Sequence, residues 1–247
     1  MKETEQLIFG TRAVIEALQA GKEIDRIFIQ KNLRNDLIRE LIHLANDHHV
    51  PISQVPQEKL DRLTKKNHQG VVSLLSGITF ASLDHILSRT FEEGQVPIIA
   101  ILDRVTDVRN FGAISRSAEG AGVNAIVIPA KGNAPTNADA VKTSAGALHH
   151  IPVCREENLK NTLTFLKESG LRIVGCSEHA SKFYFEENFQ DPIALILGSE
   201  EDGISPEYLK LCDSTVRIPM NGKISSLNVS VSAGIIFYEV IRQRMAK

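Results

Sequence analysis

The sequence predicts an α/β fold, with a mostly parallel sheet in the longer second part of the chain and a smaller α/β unit before it. Three observations support this prediction. Strand-like and helix-like segments alternate along the 247 residues, as they do in βαβ units. Residues 96–102 (VPIIAIL) are almost wholly apolar, which is typical of a strand covered on both faces. The length suits one large domain or two small ones.

The first part, residues 1–78, is predicted to form a small α/β unit with its own core. Asn35 or Asp36 can cap a helix whose apolar residues recur at helical spacing. In chain order we expect a helix, a strand, a helix, a strand, a short helix and a strand, at residues 12–20, 26–30, 36–45, 51–55, 58–64 and 71–75. Residues 79–95 are mixed in character and predict a surface helix or linker near a domain boundary.

Basic residues cluster in this first part, at Lys31, Arg34, Arg39, Arg62, Lys65 and Lys66. One interpretation is a face that contacts phosphates and docks RNA without reading its sequence. The other is a solvated surface, which is the commoner meaning of a charge cluster. Because the net charge is −2 and the pI is about 6.5, any charge that binds RNA must be concentrated on one face.

The second part, residues 96–247, is longer and more regular. Its predicted strands follow the run at 96–102 and lie at 125–128, 151–153, 171–176, 193–197 and 215–218. Its predicted helices lie at 112–122, 139–148, 159–167 and 206–211. Ligands of parallel sheets bind outside the carboxyl ends of the strands. The candidate site therefore lies on the loops 103–111, 198–205 and 219–226.

The stretch 218–239 (IPMNGKISSLNVSVSAGIIFYE) combines a turn, small polar residues and an apolar run. Leu227, Val229 and Val231 alternate with polar residues, which favours a strand, whereas the longer run to Arg244 favours a helix. The hydroxyl and amide groups suit a small-molecule site, because the free N–H groups of a helix start favour anionic groups. The alternative is a serine-rich cap on a core helix.

Several classes of protein are disfavoured. Cys154, Cys176 and Cys212 are far apart and form no CxxC pair, which argues for a reducing cytoplasm and against a zinc site. No run approaches the roughly 20 apolar residues of a membrane span, and the N-terminus lacks a signal-peptide core. Residues 198–203 (GSEEDG) lack the Lys-Ser/Thr of a Walker A loop, and no histidine cluster has metal-ligand spacing. We therefore expect neither a metal nor a membrane partner.

Three segments on the candidate loops carry a resemblance to a known family. They are 110–116 (NFGAISR), 197–203 (LGSEEDG) and 218–230 (IPMNGKISSLNVS). In order, separation and placement they resemble the signature motifs of the SpoU/TrmH family of RNA ribose 2'-O-methyltransferases. Residues 8–10 (IFG) and 68–71 (HQGV) resemble the family's substrate-binding domain, which is similar to ribosomal protein L30e. Within the family the likeness is greatest to the RlmB type, which methylates a guanosine ribose in the peptidyl-transferase region of 23S rRNA.

The resemblance implies a catalytic domain whose C-terminal segment threads a loop to form a deep trefoil knot, with a helix in place of a strand after Ser226. It also implies S-adenosylmethionine as the cofactor, and a homodimer whose active site borrows from both subunits. Backbone around Gly198, Ile218 and Leu227 would contact the cofactor. The other residues expected beside it are Leu197, Glu200, Met220 and Gly222.

The resemblance assigns roles in an in-line displacement of the methyl group by a ribose 2'-oxygen. Arg116 matches the family's catalytic arginine. Since guanidinium holds its proton above pH 12 or so, we expect Arg116 to position a phosphate and stabilise the alkoxide; a base role, proposed for relatives, is the alternative. Asn110 would orient Arg116 or the ribose, Ser226 and Asn228 would hold the hydroxyl or the cofactor, and Glu200 would brace its loop or contact the partner subunit.

Each of these residues also has a plainer alternative. Asn110, Ser226 and Asn228 could be helix caps, and Arg116 could form a surface ion pair. For the whole chain, the expected activity is methylation of an rRNA ribose. The alternatives are a tRNA ribose methyltransferase and a non-catalytic RNA-binding module.

Overall fold

The computed structural model describes residues 7–246 of the chain. Within this range the chain divides into two compact units. The first unit contains the residues up to Thr79 and the short segment Pro135–Ala138. The second contains Phe80–Ala134 and the residues from Asp139 onward.

The first unit is a four-stranded sheet with helices. Its elements are β1 (Leu7–Phe9), α1 (Thr11–Gln19), β2 (Ile24–Gln30), α2 (Asp36–Asp47), β3 (Ile52–Val55), α3 (Gln57–Leu63) and β4 (Val71–Leu75). The strand order is β1-β4-β2-β3, with β2 parallel to β3 and β4 antiparallel to both of its neighbours. The side-chain oxygen of Asn35 accepts a hydrogen bond from the Ile38 N–H at 2.8 Å, which confirms the predicted cap of α2.

The His68–Val71 segment of the first unit forms the turn that begins β4. His68 is buried; its Nδ1 accepts a hydrogen bond from the Gly70 N–H at 3.0 Å, and its Nε2 lies 3.0 Å from Asp61 Oδ1. Gly70 has φ +79°, and a Cβ there would lie 2.5 Å from the Leu33 side chain. These contacts give the segment a structural role. RNA docking by the basic cluster stays a prediction.

The second unit is built on a seven-stranded sheet. Its strands are β5 (Ile98–Leu102), β6 (Ala125–Pro129), β7 (Val153–Glu156), β8 (Arg172–Cys176), β9 (Lys182–Phe183), β10 (Ile193–Leu197) and β11 (Ser214–Arg217). Their order is β7-β6-β5-β10-β8-β11-β9, and every neighbouring pair is parallel. The predicted parallel sheet is thereby confirmed. All seven strands end at one edge of the sheet, which brings the loops after β5, β8, β10 and β11 together.

Helices cover this sheet. They are α4 (Leu83–Glu92), α5 (Val108–Gly120), α6 (Ala138–Thr143), α7 (Leu159–Glu168), α8 (Pro206–Leu209) and α9 (Val229–Met245). β5 and β10 are buried along their whole length, as their apolar sequences require. Leu83 and Leu87 of α4 are buried in the core of the second unit, so most of residues 79–95 is a packed helix.

Three element predictions are corrected by the structure. The helix expected from residue 112 begins at Val108. Asp107 caps it, because its side chain accepts hydrogen bonds from the N–H groups of Arg109 and Asn110. The helix expected over 139–148 is interrupted where Ala145 (φ +52°) and Gly146 (φ +89°) adopt left-handed backbone. The strand suggested by alternation at 227–232 is wrong: α9 begins at Val229, and the alternation spans only its cap and first turn.

Candidate active site

One amide connects the start of α5, the loop after β10 and the start of α9. Asn228, the cap of α9, donates from Nδ2 to Asn110 Oδ1 at 3.0 Å and to Glu200 Oε1 at 2.7 Å. Its Oδ1 accepts from the Ser230 N–H at 2.9 Å and from the Ser230 hydroxyl at 2.5 Å. Both amide hydrogens and the amide oxygen are therefore used, which fixes the orientation of the side chain. We call Asn110, Glu200 and Asn228 the amide junction.

The loop after β10 folds back on itself beside this junction. Ser199 and Gly203 exchange two backbone hydrogen bonds of 3.0 Å. A Cβ on Gly198 would lie 2.0 Å from the carbonyl carbon of Gly203, so no other residue fits there without moving the loop. The turn thus presents Glu200, Glu201 and Asp202 together at its tip.

A second connection holds this loop to the end of β5. Arg104 donates to Asp202 Oδ2 and to the Gly203 carbonyl, each at 3.1 Å, and to Asp103 Oδ1 at 3.2 Å. Asp103 is buried and accepts from the Ser205 N–H at 2.6 Å. The side-chain hydrogen bond with Asp103 raises the pKa of Arg104. Arg104 also has φ +58°, a backbone conformation that is costly for a residue with a Cβ.

A cavity of about 380 Å³ opens beside the loop. Eight of the predicted site residues line it: Leu197, Gly198, Glu200, Ile218, Met220, Ser226, Leu227 and Asn228. Gly222 does not line it. A second cavity, of about 310 Å³, is lined by Arg104, Asp107 and Asn110 and shares Glu200 with the first. Glu200 therefore stands between two adjoining spaces.

Arg116 lies apart from the amide junction. It is exposed on α5, six residues beyond Asn110 and about 9 Å further along the helix axis. Gly112, one turn before it on the same face, packs so closely that a Cβ there would lie 2.7 Å from Thr143 Cβ. Arg116 thus stands on the helix face beside the turn after α6. Because Asp107 is the cap of α5, the plain-cap alternative for Asn110 is wrong.

Sequence reasoning missed several residues of the site. Cys176 ends β8 and His179 follows that strand. Both line the larger cavity, but only the strand order shows that β8 lies beside β10. The Asp103–Arg104 pair was visible as two charges directly after an apolar strand. Burial raises the pKa of Cys176 to about 12, so its thiol stays protonated and cannot act as a nucleophile near neutral pH.

Two further observations bear on the kind of site. Among residues 7–246, no three histidine, cysteine or acidic side chains are grouped so as to hold a metal ion. In the same range no helix is both long and apolar enough to cross a membrane.

Comparison with known proteins gives consistent matches. The profile of the SpoU rRNA Methylase family matches residues 97–238, and that of the RNA 2'-O ribose methyltransferase substrate binding domain matches residues 7–79. The TrmH family protein YacO of Bacillus subtilis (strain 168) is 35% identical over 244 residues, which is 99% of this chain and 98% of YacO. A TrmH family protein of Staphylococcus saprophyticus is 36% identical over 240 residues, covering 97% and 96% of the two chains.

Among solved structures, the SpoU methyltransferase AviRb from Streptomyces viridochromogenes, in complex with the cofactor AdoMet, is similar over 98% of this chain and 91% of its own. The TM-score is 0.62 and the sequence identity is 26%. This similarity confirms the predicted α/β fold. Threading of the C-terminal segment into a knot stays a prediction.

Proposed function

This chain belongs to the SpoU rRNA methylase family and is an S-adenosylmethionine-dependent RNA 2'-O-ribose methyltransferase, and we propose that its substrate is a guanosine of 23S rRNA. The observation that carries the proposed site is the amide junction, where Asn110 of α5, Glu200 of the loop after β10 and Asn228 at the start of α9 meet beside the larger cavity. The residues of the junction would hold the target ribose against the methyl donor.

The residues that line the larger cavity fit S-adenosylmethionine. Its volume of about 380 Å³ is within the usual range for small-molecule sites. Leu197, Ile218 and Leu227 offer apolar surface to an adenine ring. Glu200 and Asp202 supply negative charge, which favours a sulfonium and an ammonium group. We propose that backbone at Gly198, Ile218 and Leu227 contacts the cofactor, with Met220 beside it and Gly222 further out.

The chain's own residues would align the reacting atoms and stabilise charge. Bound S-adenosylmethionine supplies a methyl group attached to a sulfonium sulfur. When the methyl group is transferred, the rest of the cofactor is a neutral thioether. Arg116 would pair with an RNA phosphate and stabilise the 2'-oxygen as its proton passes to that phosphate or to water. Asn228 is held in one orientation by four hydrogen bonds, so it can support Asn110 and Glu200 at fixed positions around the ribose. Ser226 would contact the hydroxyl or the cofactor.

The experiment that tests this activity uses radiolabelled S-adenosylmethionine with transcripts of 23S rRNA domains and of tRNA. We expect Arg116→Ala to lower methyl transfer by at least about 100-fold, because one charge-stabilising group at the reacting oxygen is lost. Cofactor affinity, measured by calorimetry, should be nearly unchanged. Arg89→Ala on α4 is the control, since it removes another exposed arginine of the same unit. Unchanged transfer by Arg116→Ala would refute the assigned role.

The RNA target can be identified in cells. The name of the SpoU rRNA Methylase family supports an rRNA target, whereas the names of the Bacillus and Staphylococcus relatives give both tRNA and rRNA. Mapping of ribose methylation across 23S rRNA and tRNA in a strain lacking this protein distinguishes them. A missing methyl on a 23S guanosine is expected; a missing methyl on tRNA alone would favour the second candidate, a tRNA ribose methyltransferase.

We also propose that the protein works as a homodimer in the cytoplasm, where its RNA and its cofactor are found. α9 carries an exposed apolar stripe at seven-residue spacing: Val231, Tyr238 and Met245 are 50%, 55% and 79% exposed. Seven residues are close to two helical turns, so these side chains share one face. The Tyr238 hydroxyl reaches the end of α5 at Gly120, which extends the face. Large exposed apolar faces of this kind favour association with a second copy.

A further inference from the structure

Three consecutive aromatic residues lie at the end of the sheet marked by β9. The rings of Phe183 and Phe185 stack with centroids 5.4 Å apart and planes 18° apart, and Tyr184 meets Phe185 edge-on at 5.3 Å. Phe185 is 50% exposed. A half-exposed phenylalanine within a group of rings offers an apolar face on which another flat ring can stack.

Arg217 joins this group from the neighbouring strand. It lies opposite Phe183 in the parallel pairing of β11 with β9, and its guanidinium carbon is 4.7 Å from the Phe183 ring centroid. Its Nε is buried and has no hydrogen-bond partner. Arg217 also lines the larger cavity. One side chain thus connects the aromatic group to the proposed cofactor site.

The charge of Arg217 distinguishes it from the other cations around the aromatic group. Arg172 and Lys182 both pair with Glu187, at 2.7 and 3.1 Å. Arg242 pairs with Glu239 at 2.7 Å. In the described part of the chain, no carboxylate lies within 4.0 Å of the Arg217 guanidinium, so its charge is available to an anionic ligand. An unpaired cation beside exposed rings is the chemistry that binds unpaired nucleotides, whose bases stack and whose phosphates need a counter-charge.

We propose that Phe185 and Arg217 form a docking surface for an unpaired nucleotide of the RNA substrate. The base would stack on the exposed face of Phe185, and its phosphate would pair with Arg217. Because Arg217 lines the larger cavity, this nucleotide would be a near neighbour of the methylated one. The inference rests on the proposed function, since it takes the partner to be RNA and the cavity to be the cofactor site.

The test compares binding of a short single-stranded RNA with binding of a duplex of the same sequence, by fluorescence anisotropy. Phe185→Ala is expected to weaken single-strand binding about tenfold and to leave duplex binding within about twofold, because only an unpaired base can stack. Phe185→Trp should retain the single-strand affinity. The matched control is Phe91→Ala, since Phe91 is a similarly exposed phenylalanine of the second unit, at 41%. Arg217→Met should reduce the salt dependence of binding by the contribution of about one phosphate.

Activity measurements separate this inference from the proposed function. In methyl transfer, Phe185→Ala should raise the KM for RNA about tenfold and leave kcat and cofactor affinity near those of the wild type. If Phe185→Ala and Phe91→Ala behave alike, the docking surface is refuted while the methyltransferase function stands. If Phe185→Ala instead converts a dimer into a monomer in sedimentation, the surface binds a second copy and the inference is overturned. Absence of methyl transfer by the wild type would refute the proposed function. The comparison of single-stranded with duplex RNA binding would still show whether a base stacks on Phe185.

Discussion

The two ends of α9 are held in different ways. At its amino end, Asn228 makes side-chain hydrogen bonds to Asn110 and Glu200, and all three groups border the cavities. At its carboxyl end, Arg244 donates to four backbone carbonyls, those of Val96, Pro97, Phe189 and Asp191. Gln243 adds bonds to the Glu187 carbonyl and the Phe189 N–H, each of 2.9 Å.

The difference separates stability from chemistry along a single helix. The carbonyls that Arg244 contacts lie in the segments just before β5 and β10. These hydrogen bonds cannot be rearranged without moving the sheet, so the carboxyl end anchors the helix. Bonds among exposed side chains can be exchanged for bonds to a ligand at little cost. Variants at the amino end should therefore change activity much more than stability, and variants at the carboxyl end should do the reverse.

The largest effect is expected from Asn228→Asp. The aspartate oxygen can still accept from the Ser230 N–H and cap α9, but both donors to Asn110 and Glu200 are lost and a negative charge is placed beside Glu200. Methyl transfer should fall by about 100- to 1,000-fold, while urea denaturation should show a loss of at most about 1 kcal/mol. Asn158→Ala, which removes the cap of α7 in the same unit, is the control for lost stability with retained activity. A fall in stability large enough to explain the lost activity would break the comparison.

The opposite outcome is expected for Arg244→Ala. Partial burial lowers the pKa of Arg244, and removal of its side chain leaves four carbonyls without their donor. The free energy of unfolding should fall by about 3–5 kcal/mol. Transfer per folded molecule at low temperature should stay within about twofold. Arg89→Ala, which breaks an exposed ion pair on α4, should leave the free energy of unfolding nearly unchanged. Lost activity in folded Arg244→Ala would show that the anchored end also shapes the site.

The sequence predicted the sheet well because its evidence is local. The apolar runs of β5 and β10 and the Asn35 cap are patterns within a few residues, and the structure confirms them. Strand order and long-range polar contacts have no such local pattern. Asn228 lies 118 residues from Asn110; the parallel sheet predicted that the segments near them lie at one edge, but no local pattern indicated this hydrogen bond. Nor did any local pattern indicate the carbonyl contacts of Arg244, which span as many as 148 residues.

A pH-dependent effect is expected beside the anchored end. Burial alone would raise the pKa of Glu187, but hydrogen bonds from Arg172, Lys182 and the Asn188 N–H outweigh it and lower the pKa to about 2. A carboxyl with a lowered folded pKa stabilises the protein fully above its unfolded pKa of about 4.5, and that stability is lost as the pH falls toward about 2. Glu187→Gln should therefore cost about 2–3 kcal/mol at pH 7.

The measurement is urea denaturation of wild type and Glu187→Gln between pH 7 and the acid limit of the wild type. The difference in unfolding free energy should be constant above about pH 5 and shrink below it. Glu186→Gln is a suitable comparison, because Glu186 is the exposed neighbour of Glu187 and accepts a hydrogen bond of 2.8 Å from the Phe183 N–H. A difference that does not change with pH would mean that Glu187 stabilises the carboxyl end by shape alone.

The smallest effect is expected from Arg104→Gly, in the loop that follows β5. Glycine adopts φ +58° without strain, so the variant gains about 1 kcal/mol in backbone energy and loses the partly exposed bonds to Asp202 and the Gly203 carbonyl. Stability should stay within about 1 kcal/mol of the wild type. The loop after β10 loses its connection to β5, so the Kd for S-adenosylmethionine should rise about five- to tenfold with little change in kcat. Asp202→Asn removes the ion pair with Arg104 but keeps the hydrogen bond from Arg104 to the Gly203 carbonyl, so it should give an intermediate Kd. Backbone strain that lowers stability is expected to be kept where it shapes a functional site. A more stable Arg104→Gly variant with unchanged affinity for S-adenosylmethionine would therefore show that the strain at Arg104 does not serve cofactor binding.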